Sequence, residues 1–250
     1  MKRIYFVADT HLGNRYLENP SDTEKKLVLW LDDIKKDAAA VYFLGDIFDF
    51  WFEYKYVTPR GYVRFLGKLA ELSDSGIEVH LLVGNHDLWM FDYLPDEVGA
   101  IIHHQPFTLE LPGKKFFLGH GDEVGYRPLT YRIIQRIFRN RFCQILFASV
   151  HPRWSIGFAR GWSLNSRKSG LIVEKIKYAQ ERNALALEDF ARAYLQTHPD
   201  IHFFVFGHLH LPLDREIAPD KRLLVIGDWM QTFSYAVWDG ETIELKQYNQ

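Results

Sequence analysis

Residues 40–49, Ala-Val-Tyr-Phe-Leu-Gly-Asp-Ile-Phe-Asp, decide the fold. An unbroken apolar run passes through a glycine into two carboxylates, Asp46 and Asp49. A run without polar alternation reads as a strand covered on both faces, which is the usual condition of a parallel sheet. The glycine permits a sharp turn, so the carboxylates stand at the strand tip.

The same arrangement occurs on either side. Residues 4–8 end in Asp9-Thr10-His11, and residues 79–83 end in Gly84-Asn85-His86-Asp87. The intervening stretches, 21–36 and 62–72, carry apolar residues at helical spacing, with Ser21 or Asp22 expected as the first N-cap. A βαβαβ order implies parallel pairing. In open α/β sheets ligands bind beyond the carboxyl ends of strands, so the three polar clusters are expected to converge. Two further clusters follow apolar runs: Gly119-His120-Gly121-Asp122 after Phe117-Leu118, and Gly207-His208-Leu209-His210 after residues 203–206. Runs at 107–111, 116–118, 202–206, 223–226, 235–238 and 242–246 are spaced by turns such as Pro112-Gly113 and Asp239-Gly240. They predict hairpins and a second sheet.

Composition sets the outer bounds. With 250 residues and 47% apolar content, the chain suits one domain of ordinary size. A formal net charge of −2 gives no global attraction to nucleic acid. The lone Cys143 cannot form an internal disulfide or a thiolate metal site, which points to a reducing, cytoplasmic setting. Residues 1–8 read as a strand rather than a signal peptide, because Asp9 and His11 interrupt the apolar run too early. No stretch reaches the roughly 18 uncharged apolar residues of a spanning helix, so any membrane contact is expected to be peripheral.

Asp, Asn and His without Cys form a mixed oxygen and imidazole environment that suits Mn²⁺, Fe or Zn²⁺. Asp9, His11, Asp46, Asn85, His120, His208 and His210 are too many for one open site. Two divalent ions about 3.5–4 Å apart, bridged by a carboxylate, would use them all and leave room for water and substrate. Each cluster alone reads as polar surface or a turn. Five in order, each after an apolar run, read as a metal site. His80, His103, His104, His151, His198 and His202 lack this setting and are expected to be structural or surface residues.

The set Asp9-x-His11, Gly45-Asp46-x-x-Asp49, Gly84-Asn85-His86-Asp87, Gly119-His120 and Gly207-His208-x-His210 resembles the five-block signature of calcineurin-like metallophosphoesterases. The resemblance spans nearly the whole chain. It implies a four-layer α/β/β/α sandwich in which Asp9, His11 and His210 hold one metal, Asn85, His120 and His208 the other, and Asp46 bridges them. His86 would serve as acid or transition-state donor, oriented by Asp87, with Asp49 behind the ligands. In the expected chemistry, a hydroxide held by the ions attacks phosphorus in line, with no phosphoenzyme.

Between 124 and 173 the chain has no Asp or Glu but carries Arg127, Arg132, Arg136, Arg139, Arg141, Arg153, Arg160, Arg167 and Lys168. Among them lie Ile133, Ile137, Phe138, Phe142, Ile145, Leu146, Phe147, Trp154, Phe158 and Trp162, many at helical spacing. Two short basic amphipathic helices, in an insertion at about 124–169 of a single domain spanning 1–250, are expected. Three uses stay open: a cap completing the core, a nucleic-acid track, or a lid for an acylated anionic substrate beside an anionic membrane.

An insertion at this place is similar to that of UDP-2,3-diacylglucosamine diphosphatases. Those enzymes cleave a doubly acylated UDP-sugar to lipid X and UMP in lipid A biosynthesis, usually with Mn²⁺, at the cytoplasmic face of the inner membrane. Phe48, Phe50 and Trp51 after Asp46, and the string Gly227-Asp228-Trp229, fit that likeness. The resemblance places substrate contacts at Asn85, His86, Ser163, Asn165, Arg167 and Lys168. The best-known members carry Arg where this chain has His86, the residue of general phosphoesterases. A nuclease or general phosphodiesterase is the alternative, and a scaffold without ions is a third reading that the complete ligand set disfavours.

Overall fold

The structure is a computed structural model that describes residues 2–14, 19–124, 129–155, 157 and 173–249. Its first sheet contains β1 (Arg3–Val7), β2 (Ala38–Leu44), β3 (Glu78–Leu82) and β4 (Ile101–His103), all parallel. The second has the order β5 (Phe107–Leu111), β6 (Lys114–Leu118), β7 (Phe203–Phe206), β9 (Lys221–Val225), β8 (Leu213–Ala218). Here β6, β7 and β9 are parallel, and β5 and β8 form antiparallel edges.

Period-two alternation explains why the strand runs are continuously apolar. Tyr5, Val7, Val41, Phe43, Val79 and Leu81 face outward, against Leu27, Trp30 and Leu31 of α1 (Pro20–Ile34) and Phe65 and Leu69 of α2 (Val63–Asp74). Their neighbours Phe6, Ala8, Tyr42, Leu44 and Leu82 face inward, against Phe116, Leu118, Phe203, Val205 and Leu224 of the second sheet. On that sheet's far side, Phe117, Phe204, Phe206, Leu223 and Val225 bury Ala184, Leu187 and Ala191 of the long helix that ends the α-rich region. The result is the expected four-layer α/β/β/α order. Each fully buried aromatic or aliphatic side chain contributes about 1.5–3 kcal/mol.

Two details differ from the sequence-based expectation. The runs at 235–238 and 242–246 do form a hairpin, β10 (Ser234–Trp238) and β11 (Ile243–Gln247), but it extends the first sheet by pairing antiparallel with β1. Ala236 and Trp238 then point between the sheets, so this edge of β1 is covered, a pairing that hydropathy alone does not specify. Helix α1 begins at Pro20 with Asn19 as its N-cap, not Ser21 or Asp22. Proline suits the first helical position because its missing N–H would be unsatisfied there anyway. Asp22 falls in the first turn, where its charge complements the helix dipole.

Helices α3 (Tyr93–Val98), α4 (Leu129–Arg139) and α5 (Arg141–Ala148) precede the long one. The long helix is α6 (Val173–Leu195). Helices α4 and α5 occupy part of the stretch where two basic amphipathic helices are expected. They dock through Phe138 and Phe147 onto Phe52 and Trp89, from the loops after β2 and β3. The Trp89 indole donates to the Phe138 carbonyl at 2.8 Å, and Gln135 Nε2 donates to Asp122 Oδ2 at 2.7 Å. Among the described residues no helix is long and apolar enough to cross a membrane.

At the edge of the inter-sheet core, Tyr42, His80, His103 and Phe107 form a column of stacked rings. His80 Nδ1 and His103 Nε2 share one hydrogen bond at 3.0 Å, which fits neutral rings. Burial, with the His80 charge next, pushes the His103 pKa down to about 4. In the unfolded chain histidine titrates near 6.5, so lowering the pH below about 6.5 protonates the unfolded state first and removes stability until pH reaches about 4. His103→Phe, which keeps the stack and cannot titrate, should show a smaller fall in urea midpoint between these pH values. Parallel curves for wild type and variant would refute the assignment.

Candidate metal centre

The strand tips meet at the carboxyl edge of the two sheets. Loop 9–12 is laced to loop 45–49 by backbone bonds from Asp9 N–H to the Gly45 carbonyl at 3.1 Å and His11 N–H to the Asp46 carbonyl at 2.9 Å. Asp9 Oδ2 accepts from the His208 N–H at 2.7 Å, which ties in the second sheet. Asp9, His11, Asp46, His208 and His210 all have positive φ, between 40° and 70°. Left-handed backbone at non-glycine residues costs of order 1–3 kcal/mol each and persists only where surroundings enforce it. The strain turns five side chains into one space. Gly45 and Gly84 make room for it: a Cβ at Gly45 would lie 2.5 Å from His120 Nδ1, and one at Gly84 would overlap Asp46 Oδ1.

Three groups of potential ligand atoms result, each with its atoms within 4.8 Å of one another. Asp9, His11 and His210 form one, Asp46, His120 and His208 another, and His11, Asp46 and His86 lie between. Asp46 Oδ2 is 3.7 Å from His11 Nε2 and 3.4 Å from His120 Nε2, so one oxygen faces both sides. On the first side, His210 Nε2 is 3.4 Å from Asp9 Oδ1 and 3.3 Å from His11 Nε2. On the second, the His120 and His208 rings sit edge to face with centroids 5.0 Å apart.

The electrostatics are those of a desolvated, mutually dependent set. Burial raises the Asp9 pKa to about 6, and burial lowers that of His208 to about 3, with the His120 charge next. His208 therefore keeps a lone pair at any working pH. Burial opposes charge on His120, but the Asp46 carboxylate outweighs it and holds this imidazole well above its ordinary range.

The profile of the family described as calcineurin-like phosphoesterase matches residues 2–212. The chain belongs to that family. The phosphoesterase is 47% identical over 254 residues to a UDP-2,3-diacylglucosamine hydrolase from Porphyromonas gingivalis, covering 98% of this chain and 97% of that one. It is 27% identical to the protein of the same name from Ectopseudomonas mendocina, over 90% of each chain. To the Vibrio vulnificus protein it is 23% identical, over 97% of each.

The family implies divalent metals, and the buried atoms of this phosphoesterase fit them. Asp9 Oδ1, Asn85 Oδ1 and His120 Nε2 are buried without a hydrogen-bond partner among the described residues. Such orphans are rare and costly unless an ion satisfies them. His120 Nδ1 donates to the Leu44 carbonyl at 2.8 Å, which aims Nε2 at the cluster, the usual way a ligating imidazole is fixed.

Not every expected role fits the geometry. Asp87 does not orient His86. It accepts backbone N–H bonds from Ile47 at 2.7 Å, Phe48 at 3.2 Å and Gly84 at 2.7 Å, and so clamps two loops together. Burial, with the Asp46 charge second, raises its pKa to about 7. The His86 ring is held instead by the Asp49 carbonyl, which accepts from Nδ1 at 3.0 Å. Asp49 Oδ1 also lies 3.7 Å from His11 Nδ1, behind the ligand set as expected. Ser163, Asn165, Arg167 and Lys168 lie outside the described residues.

One residue of the site was not assigned a role from the sequence. Asp228 Oδ2 lies 3.3 Å from His210 Nδ1, while its Oδ1 accepts from the N–H groups of Met230, Gln231 and Thr232. The Gly227-Asp228-Trp229 string was the available signal, but only the fold brings it beside His210. Asp228→Ala should weaken divalent-metal binding at the His210 side by about 10–100-fold, as measured by calorimetric titration of metal-free protein. Unchanged affinity at both positions would show that the contact orients nothing.

Proposed function

We propose that the phosphoesterase hydrolyses the pyrophosphate of UDP-2,3-diacylglucosamine, releasing 2,3-diacylglucosamine 1-phosphate (lipid X) and UMP in lipid A biosynthesis. The observation that carries this reading is the position of exposed apolar helices beside a desolvated carboxylate and imidazole cluster. Leu129, Ile133 and Ile137 recur along α4 at 69%, 48% and 47% exposure, and Phe142, Ile145 and Leu146 are exposed on α5. Each buried methylene of an acyl chain contributes about 0.8 kcal/mol, enough to bring a lipid sugar to the cluster. The name of the Porphyromonas gingivalis relative, alike over nearly its whole length, supports the same substrate.

In this reading Asp9, His11 and His210 hold one divalent ion, Asn85, His120 and His208 the second, and Asp46 lies between, with Mn²⁺ as the working metal. When bound, the two ions neutralise charge on the phosphoryl oxygens and supply the nucleophile near neutral pH. The protein positions and donates. With Nδ1 of His86 bonded to the Asp49 carbonyl, Nε2 is the atom that meets the departing or non-bridging oxygen and gives it a proton or hydrogen bond. Asn85 and His86 contact the phosphate, with Ser163, Asn165, Arg167 and Lys168 contacting the phosphate and glucosamine. The segment at about 124–169 serves as a lid within the single domain. Its apolar surface, with the arginines outside α4, rests on the anionic cytoplasmic face of the inner membrane.

UMP release in Mn²⁺ should favour the diacylated substrate over its unacylated analogue by more than about tenfold. Purified, metal-replete His120→Ala should be inactive. Equal turnover of the two substrates, or oligonucleotide binding with a steep salt slope, would move the function to a nuclease or general phosphodiesterase.

A further inference from the structure

A polar cavity of about 770 Å³ opens between α4, the turn after His120 and the loop joining β4 to β5. Its size lies within the usual range for a bound small molecule, roughly 300–1,000 Å³. Nothing in the reading above uses it. Helix α4 has two exposed faces, and the cavity is lined by the one that carries Arg132, Arg136 and Arg139 rather than the apolar one.

Three arginines spaced three and four residues apart on one helix face repel one another unless an anion lies among them. Among the described residues Arg132 and Arg136 have no ion pair or hydrogen bond, and Arg139 reaches Glu123 Oε1 at 3.9 Å. The wall is not purely basic. Glu123 is mostly buried, and its Oε1 has no hydrogen-bond partner among the described residues. Gln105 presents a side-chain amide with both a donor and an acceptor. Asn140 engages its Oδ1 with the Phe142 and Cys143 N–H groups, which leaves its NH₂ to donate into the cavity.

We infer that this cavity binds a nucleoside monophosphate, with the arginines on the phosphate, Glu123 accepting from ribose hydroxyls, and the Gln105 and Asn140 amides on the edge of a pyrimidine base. A phosphate alone would not need the carboxylate or the amides, and guanidinium forks match phosphate oxygens well. The site joins the metal centre through the turn closed by the Val124 N–H on the Gly121 carbonyl, just after His120. The inference rests on the proposed hydrolysis for the identity of its ligand, the departing UMP. It makes α4 a divider, with acyl chains on one face and the nucleotide on the other.

The test is calorimetric titration of the Mn²⁺-loaded protein with UMP and, separately, inorganic phosphate. The Arg132→Gln/Arg136→Gln double variant should lose at least about tenfold in UMP affinity. Gln105→Leu should weaken UMP but leave phosphate unchanged, and Ile133→Gln, on the apolar face outside the cavity lining, should leave UMP binding as in wild type. Wild-type UMP affinity in the double variant, or equal binding of UMP and phosphate by the unaltered protein, overturns the assignment. Failure to hydrolyse UDP-2,3-diacylglucosamine would sink the proposed function instead, and arginine-dependent UMP binding would then still establish a nucleotide site.

Discussion

The structure depends on holding two buried carboxylates, Asp9 and Asp46, beside five imidazoles in a largely desolvated space. Charges of like sign are costly at such proximity without counter-ions. Here the compensation comes from backbone N–H groups and neutral or cationic rings: His208 N–H on Asp9, His86 N–H on Asp46, and His120 across from Asp46 Oδ2. The unsatisfied atoms that remain point into the same space, which is where divalent cations complete the account.

Holding that space open requires loops that are strained one by one and rigid together. Five positive-φ residues could not persist in isolated turns. They persist because a second tier of buried carboxylates ties the loops to each other. Asp87 joins the loop after β3 to the loop after β2 through three N–H groups. Glu53 does likewise further out, accepting from the Trp51 indole and the N–H groups of Phe91 and Tyr93. Neither touches the cluster centre, yet both set where its side chains begin.

The outer tier also carries the connection between chemistry and recognition. Trp89, in the loop that presents Asn85 and His86, packs edge-on against Phe138 and tilted against Phe147, and Gln135 binds Asp122 beside His120. Helices α4 and α5 are thus fixed to the two loops that bring His86 and His120 to the site. A surface built this way can place a long substrate relative to the cluster.

Much of this was written in local sequence. Apolar runs ending in Gly-Asp, Gly-Asn-His-Asp and Gly-His-x-His marked both the strands and their functional tips, because a doubly covered strand has no polar positions to spare and a ligand loop needs glycine for close approach. The second sheet was visible for the same reason, and the helices of 129–148 showed in apolar residues at helical spacing among arginines. The sequence was silent where the answer lies in contacts between distant segments. It did not show that β10 and β11 complete the first sheet, since edge pairing depends on which strand lacks a neighbour. It did not show that Asp87 clamps loops while the Asp49 carbonyl orients His86, or that Asp228 holds His210. Side-chain type and spacing determine what a strand tip can offer, but which groups share a hydrogen bond is decided only when separate loops are folded into one desolvated volume.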